Sequence, residues 1–237
     1  MRSYKFITFI LLSTIACVTW GQPSGKQLSV GTVEQLKALP TFKKVQKLEE
    51  LHKAAVKGRD QYQMMVTKHN FRALGLNRAA DAAKTTLGTP SKDYLVRLDQ
   101  LKEYKQGDDP EKLLTDTGIV HYPIVLDNKI RSTVTMARQN GQWKAVSIGE
   151  AVRAKKRNVA LRESAKALHV RAENYFIVRV PALNLEFEAV TDPAGQLQLT
   201  PILDFPEWDL RAGTPQPAST VFLKLVPAAK GDKGLPR

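Results

Sequence analysis

The stretch HYPIVLDNKIRSTVTMARQNGQWKAVSIG, residues 121–149, decides the fold of this chain. Apolar and polar residues alternate along it, and the dipeptides Asp127-Asn128 and Asn140-Gly141 interrupt the alternation. Such dipeptides favour the two-residue turns of β-hairpins, because both of their residues tolerate a positive φ. The stretch therefore predicts three antiparallel strands at about 120–126, 129–138 and 142–148.

The middle strand of this meander is predicted to have two distinct faces. Strict alternation puts every second side chain on the same side of a sheet. One face would carry Ile130, Ser132, Val134 and Met136, and the other Arg131, Thr133, Thr135 and Ala137.

Helical periodicity flanks the β region on both sides. Apolar residues at three- and four-residue steps predict a helical subdomain over residues 32–88, which ends at the Gly88-Thr89-Pro90 break. Residues 150–172 predict one long helix rich in basic residues. Its apolar stripe consists of Ala151, Ala154, Leu161, Ala165 and Leu168.

A second set of strands follows the basic helix. The segments YFIVRV (175–180), LEFEAV (185–190) and QLQLTPIL (196–203) alternate, and TVFLKLV (220–226) is interpreted as a final strand. The order is N-terminal helices, antiparallel β meander, one long basic helix and a second antiparallel strand set. It predicts an α+β fold with a domain over residues 89–226 and a disordered tail at 227–237.

Residues 91–150 carry a resemblance to a known group of proteins. They combine a strand, a GDDP loop, a meander that starts at Tyr122-Pro123 and the strand NGQWKAVSIG. This succession resembles a module of uncharacterised exported bacterial proteins and is similar to cystatin-like and PepSY-type α+β folds, in which a sheet curls against a helix. The resemblance implies a noncatalytic binding or inhibitory role.

The first residues indicate export. Arg2 and Lys5 precede an uncharged run from Phe6 to Val18, a pattern that fits a secretory signal better than a membrane span. Thr19 and Gly21 suit cleavage before Gln22. We therefore expect a signal peptide at residues 1–21, a flexible leader at 22–31 and release into the periplasm or the medium.

Cys17 offers an alternative address, because Thr14-Ile15-Ala16-Cys17 resembles a bacterial lipobox. Cleavage before Cys17 would leave a lipid-anchored protein. Cys17 is also the only cysteine of the chain. Residues 18–237 can therefore form no disulfide, thiol catalyst or zinc–thiolate site.

The net charge of +13 favours contact with anionic partners. The predicted basic helix offers the clearest candidate surface, and two arginines of the central strand would extend it if the helix packs beside that strand. A solvated helix face is the competing interpretation. The candidate binding residues are Arg153, Lys155, Lys156, Arg157, Arg162 and Lys166 of the helix with Arg131 and Arg138 of the strand. The helix lacks the aromatic residues that nucleic-acid readers use for stacking, so no nucleic-acid motif is assigned.

No sequence motif indicates catalysis or a cofactor. The chain has no Gly-x-Ser-x-Gly, Walker or dinucleotide-binding pattern. Its histidines lack metal-ligand spacing and are expected to be solvated or capping; they are His52, His69, His121 and His169. Neither a cofactor nor a metal is predicted.

Among the acidic pairs of the chain, Glu186 and Glu188 are the candidates for catalysis. Both point to the same face of one strand, where two carboxylates could serve acid–base chemistry. Their alternation with Leu185 and Phe187 instead predicts the solvated face of an amphipathic strand.

These observations favour a noncatalytic binding module of the bacterial cell envelope. Its expected partner is an envelope protein or an anionic polymer, with a membrane surface as a further candidate. The alternatives are a structural component of an envelope assembly and an envelope hydrolase assembled around Glu186, Glu188 and His121.

Overall fold

A computed structural model describes residues 33–43 and 45–232. The predicted signal peptide, the leader and Cys17 lie outside these residues. The described helices are α1 (Val33–Ala38), α2 (Leu48–Met65), α3 (Leu98–Glu103), α4 (Ala151–Leu168) and α5 (Ala218–Gly231). The described strands are β1 (Thr86–Leu87), β2 (Ser91–Val96), β3 (Leu114–Leu126), β4 (Lys129–Gln139), β5 (Gln142–Gly149), β6 (Phe176–Val180), β7 (Leu185–Thr191), β8 (Leu197–Pro201) and β9 (Gln216–Pro217).

The two predicted hairpins are confirmed. Asp127 and Asn128 have φ values of 52° and 58°, and Asn140 and Gly141 have φ values of 53° and 77°. Both residues of each turn are thus left-handed, as the tightest antiparallel connections require. The turns set the register of β3, β4 and β5.

The described strands form one sheet in the order β5-β4-β3-β2-β6-β7-β8-β9, with β1 paired to β3. Neighbouring strands run antiparallel except β2 and β6, which run parallel. The parallel pair joins the meander to the second strand set. The fold is α+β, as predicted.

One face of the sheet carries two large apolar cores. Around β3 and β4, Tyr62 of α2 is buried with Tyr122 and Val134, so the N-terminal helices share a core with the meander. Around β6–β8, Phe222 of α5 is buried with Phe187. Helix α2 ends at Met65, well before the predicted end of the helical subdomain at residue 88, and strand β1 lies within the predicted helical range.

The predicted final strand at 220–226 is wrong, because these residues belong to helix α5. The buried side chains recur at helical spacing and face the second core. They are Ala218, Val221, Phe222, Leu225 and Ala229. The helix also corrects the predicted disordered tail, since it continues to Gly231.

A β-bulge changes the predicted faces of β4. The register shifts between the pairs Ile124–Ser132 and Val125–Ile130, which leaves Arg131 as the extra residue. Because a bulge reverses the alternation beyond it, Ile130 packs on Ala154 of α4, while Val134 packs with α2.

Among the described helices, only α4 packs on the opposite face of the sheet. It crosses the junction of the two strand sets. Its buried apolar residues are alanines, which make small apolar contacts. Ala154 meets Val125 and Ile130, and Ala165 meets Tyr175 and Val190. Between these apolar contacts lie buried polar side chains, among them Asp93, Glu186 and Glu188, and they form the candidate site.

Gly75 provides a test of the packing between the α2 region and β4. It has a φ of +89°, and a Cβ there would lie 2.0 Å from the carbonyl oxygen of Arg131. Gly107 has a similar φ of +93° but open space around it. We expect Gly107→Ala to cost about 1–2 kcal/mol of unfolding free energy from backbone conformation alone. Gly75→Ala should cost clearly more in urea unfolding, and equal losses would contradict the close approach.

Candidate functional site

A row of buried polar side chains crosses the sheet beneath α4. The strand register builds it, because Thr135 pairs with His121 across β4 and β3, and Arg179 pairs with Glu186 across β6 and β7. Asp93 on β2 lies between these two pairs. We call this set, together with Glu188 and Arg157, the buried polar row.

Asp93 is the centre of the buried polar row and has no exposed surface. Arg179 approaches both of its carboxylate oxygens, with Nε at 2.9 Å from Oδ1 and Nη2 at 2.6 Å from Oδ2. Nε2 of His121 lies 3.2 Å from Oδ2. A buried carboxylate needs such partners, and the paired geometry of arginine is the strongest that a side chain offers.

His121 is held between Asp93 and Thr135 and is not solvated, contrary to the sequence-based expectation. Burial lowers the pKa of His121, while Asp93 acts in the opposite direction. In the neutral ring Nε2 donates to the Asp93 carboxylate, which can only accept, and Nδ1 accepts from the Thr135 hydroxyl at 3.1 Å.

The other histidines lie apart from this row. His69 and His169 are exposed, and His169 is the left-handed residue that ends α4. His52 is half-buried on α2.

Glu186 and Glu188 are both buried, so the predicted solvated strand face is wrong. Helix α4 covers that side of β7. Nε of Arg157 lies 2.8 Å from Oε1 of Glu186, as an ion pair without a well-directed hydrogen bond. Arg153 lies 3.5 Å from the other carboxylate oxygen of Glu186.

Glu188 is also buried, with 3% of its surface exposed. Its Oε2 atom is buried and has no hydrogen-bond partner in the structure. Burial raises the pKa of Glu188 to about 8; Arg157 opposes this shift and Glu186 adds to it. Glu188 is therefore mainly protonated at neutral pH.

A small cavity of about 30 Å³ lies between α4 and the sheet beside these groups. Glu188, His121 and Arg157 line this cavity. Glu186 does not line it but contacts Arg157, so the three residues of the hydrolase alternative (Glu186, Glu188 and His121) lie near one another. The volume suits about one water molecule. A substrate-sized group does not fit in this arrangement.

Arg157 does not belong to an exposed binding face, which corrects one of the predicted binding residues. Its side chain is 9% exposed and faces Glu186 and Glu150. The apolar stripe of α4 passes through this position, because residue 157 lies three residues after Ala154 and four before Leu161. The stripe itself was the signal that Arg157 is buried.

Arg131 and Arg138 do not extend the basic helix, because their side chains lie on the opposite face of the sheet. Arg138 stacks on Trp143 at 5.2 Å and donates to the carbonyl oxygen of Gln46. Burial raises the pKa of Tyr62 on α2, and the nearby charge of Arg131 opposes this rise, which places Arg131 on the α2 side of the sheet. Strand β4 therefore presents both arginines toward the side of the sheet that α2 covers.

The other predicted binding residues are exposed along α4: Arg153, Lys155, Lys156, Arg162 and Lys166. Three of them, Lys155, Arg162 and Lys166, are spaced by seven and four residues and share one side of the helix. Arg153 and Lys156 lie toward the β6–β7 end of the sheet, where Arg153 contacts Glu186.

The sequence-based reasoning missed Asp93, Arg179 and Thr135. Asp93 and Arg179 are charged residues inside otherwise apolar strand segments, DYLV and FIVRV, and that is the signal that could have identified them. Their pairing depends on the parallel contact between β2 and β6, which no local pattern specifies.

Comparison with known proteins yields no match to a family model, a curated protein or a solved structure. Within residues 33–43 and 45–232, no three His, Cys, Asp or Glu side chains are grouped to hold a metal ion. None of the helices in the same part of the chain is long and apolar enough to cross a membrane.

Arg157 should be essential for the stability of the fold. Its removal leaves the buried Glu186 carboxylate without its closest cation, so we expect Arg157→Ala to lower the unfolding free energy by about 3–5 kcal/mol. Arg153→Ala is the matched control, because that side chain is half-exposed and its ion pair should contribute about 0–1 kcal/mol. Urea unfolding of both variants measures the difference. Similar small losses would contradict the burial of Arg157.

Glu188 should make stability depend on pH between its unfolded and folded pKa values. The folded protein keeps this proton up to about pH 8, whereas the unfolded chain releases it near the ordinary value of 4.5. The unfolding free energy of the wild type should therefore fall relative to Glu188→Gln as the pH rises from 5 to 8, and the difference should level off above pH 8.

Chemical unfolding at several pH values measures this difference. Glu163→Gln is the matched control, because it removes an exposed acid from the same helix. A constant difference between the wild type and Glu188→Gln over pH 5–8 would contradict the account.

Proposed function

We propose that this protein is an exported, noncatalytic binding module of the bacterial cell envelope that engages an anionic polymer through the outer face of α4. The observation that carries the proposal is the exposed side formed by Lys155, Arg162 and Lys166. In the described residues none of these three side chains has an ion-pair partner. Their charges are therefore available to a partner.

The buried polar row supports this interpretation. The row fixes α4 on the sheet through Arg157, so the basic side projects outward from a rigid support. Lysine and arginine side chains on such a helix attract polyanions over distances of about 10 Å at 0.1 M salt. Export rests on the three-part pattern of residues 1–21.

The second candidate function is the envelope hydrolase. It is favoured by the raised pKa of Glu188 beside His121, which is the property of a general acid. The cavity of about 30 Å³ opposes it, since a hydrolase would need α4 to move before a substrate could reach these groups.

The proposal predicts a face-specific effect of charge reversal. The triple variant Lys155→Glu, Arg162→Glu and Lys166→Glu should elute from a sulfated dextran column at a much lower salt concentration than the wild type. The matched control changes the exposed residues Lys53, Lys57 and Lys68 to glutamate, on α2 and the turn after it. It alters the net charge equally on the other side of the sheet. Equal losses of retention in both variants would show a net-charge effect and contradict a binding face on α4.

A further inference from the structure

A cleft of about 460 Å³ opens beside the N-terminal half of α4, where the helix meets the β6–β7 connection and the chain after β8. Its volume lies in the range of small-molecule sites. Arg153 and Lys156 contribute from the helix, and Arg179 contributes from β6. The cleft lies on a different side of α4 from Lys155, Arg162 and Lys166.

The charges in the cleft favour an anion. Two of its three cationic side chains already have acidic partners, because Arg153 contacts Glu186 and Arg179 contacts Asp93. The excess positive charge of the cleft is therefore carried by Lys156. Arg179 is held by the fully buried Asp93 while a third of its side chain stays exposed. Lys156 has no ion-pair partner among the described residues. The exposed part of Arg179, from the sheet, and Lys156, from the helix, suit a phosphate or carboxylate head group.

The walls of the cleft also favour an apolar chain. Val152 is 70% exposed and Leu203 is 38% exposed, and both line the cleft. Leu185, Ile202 and Phe205 continue the apolar lining, and small-molecule sites are lined mainly by apolar side chains. An apolar segment attached to the anionic head would cover Val152 and Leu203.

We propose that this cleft binds one molecule of a single-chain anionic amphiphile, with the head group between Lys156 and Arg179 and the alkyl chain against Val152 and Leu203. The site extends the proposed function, because it adds a small-molecule ligand to a protein that binds anionic polymers. The ligand class follows from the juxtaposition of cations and apolar walls.

Isothermal titration calorimetry with dodecyl phosphate, kept below its micelle-forming concentration, tests the proposal. We expect saturable binding of one molecule per chain. Dodecyl maltoside has the same alkyl chain without the charge, and inorganic phosphate has the charge without the chain. Both should bind at least about tenfold more weakly, because each lacks half of the recognised chemistry.

Two valines of α4 supply a matched pair of variants. Val152 lies in the cleft, whereas Val159 is 59% exposed on the same helix outside it. Val152→Ser should weaken dodecyl phosphate binding by about tenfold, and Val159→Ser should leave it unchanged. Lys156→Gln should weaken binding by a similar factor while binding of dodecyl maltoside stays as weak as before.

Retention on sulfated dextran separates this proposal from the proposed function. Val152→Ser should keep the wild-type retention, because it changes no charge. Equal effects of the two valine variants, or equal binding of the neutral amphiphile, would overturn the cleft proposal. Binding to phosphatidylglycerol vesicles or to an acidic peptide without saturable binding of monomeric dodecyl phosphate would also overturn it, and would assign the charges to a membrane surface or a protein partner.

Discussion

The carboxylate of Asp93, shared between Arg179 and His121, is the interaction on which the arrangement of the sheet and α4 depends. It lies where β2 and β6 run parallel, which is the only junction between the two strand sets among the described strands. A charge buried at this point is stable only if every partner is in place, because an unpaired carboxylate would be strongly destabilised. The pairing therefore selects one register for β2 and β6, and with it one position for α4 above them.

The two faces of the sheet are stabilised by different forces. On one face, α2 and α5 pack large aromatic and aliphatic side chains such as Tyr62 and Phe222 into apolar cores. On the other face, α4 has mainly alanines to bury and is fixed by the contact of Arg157 with Glu186. Apolar burial supplies stability with little directional preference, whereas ion pairs and hydrogen bonds require one geometry. This division explains how a weakly apolar helix can present an ordered charged surface.

Local patterns predicted the parts of the fold that local chemistry controls. The turns at Asp127-Asn128 and Asn140-Gly141 and the helical period of α4 follow from residues close together in sequence, and all three are confirmed. The β-branched and aromatic residues of segment 220–226 favour a strand locally, but the segment forms part of helix α5, whose apolar residues at helical spacing pack into the second core.

The candidate site was harder to predict because it depends on contacts distant in sequence. The burial of Glu186 and Glu188 requires α4 to cross β7, and the role of Asp93 requires a parallel strand 84 residues away. The charge of Arg157 predicts an exposed residue, whereas its position in the apolar stripe of α4 indicates burial, and the structure confirms the burial. A charged residue in an apolar pattern was thus the most informative signal in the sequence, at residues 93, 157 and 179 alike.

The most direct test of this account is a pH titration of the Glu188 side-chain carboxyl followed by carbon-13 NMR. If α4 seals the polar row as described, the carboxyl will titrate with a midpoint near 8, because burial raises its pKa. A midpoint near the ordinary glutamate value of 4.5 would show that solvent reaches Glu188. The polar row would then not hold α4 against the sheet, and the orientation of its basic face would lose its structural basis.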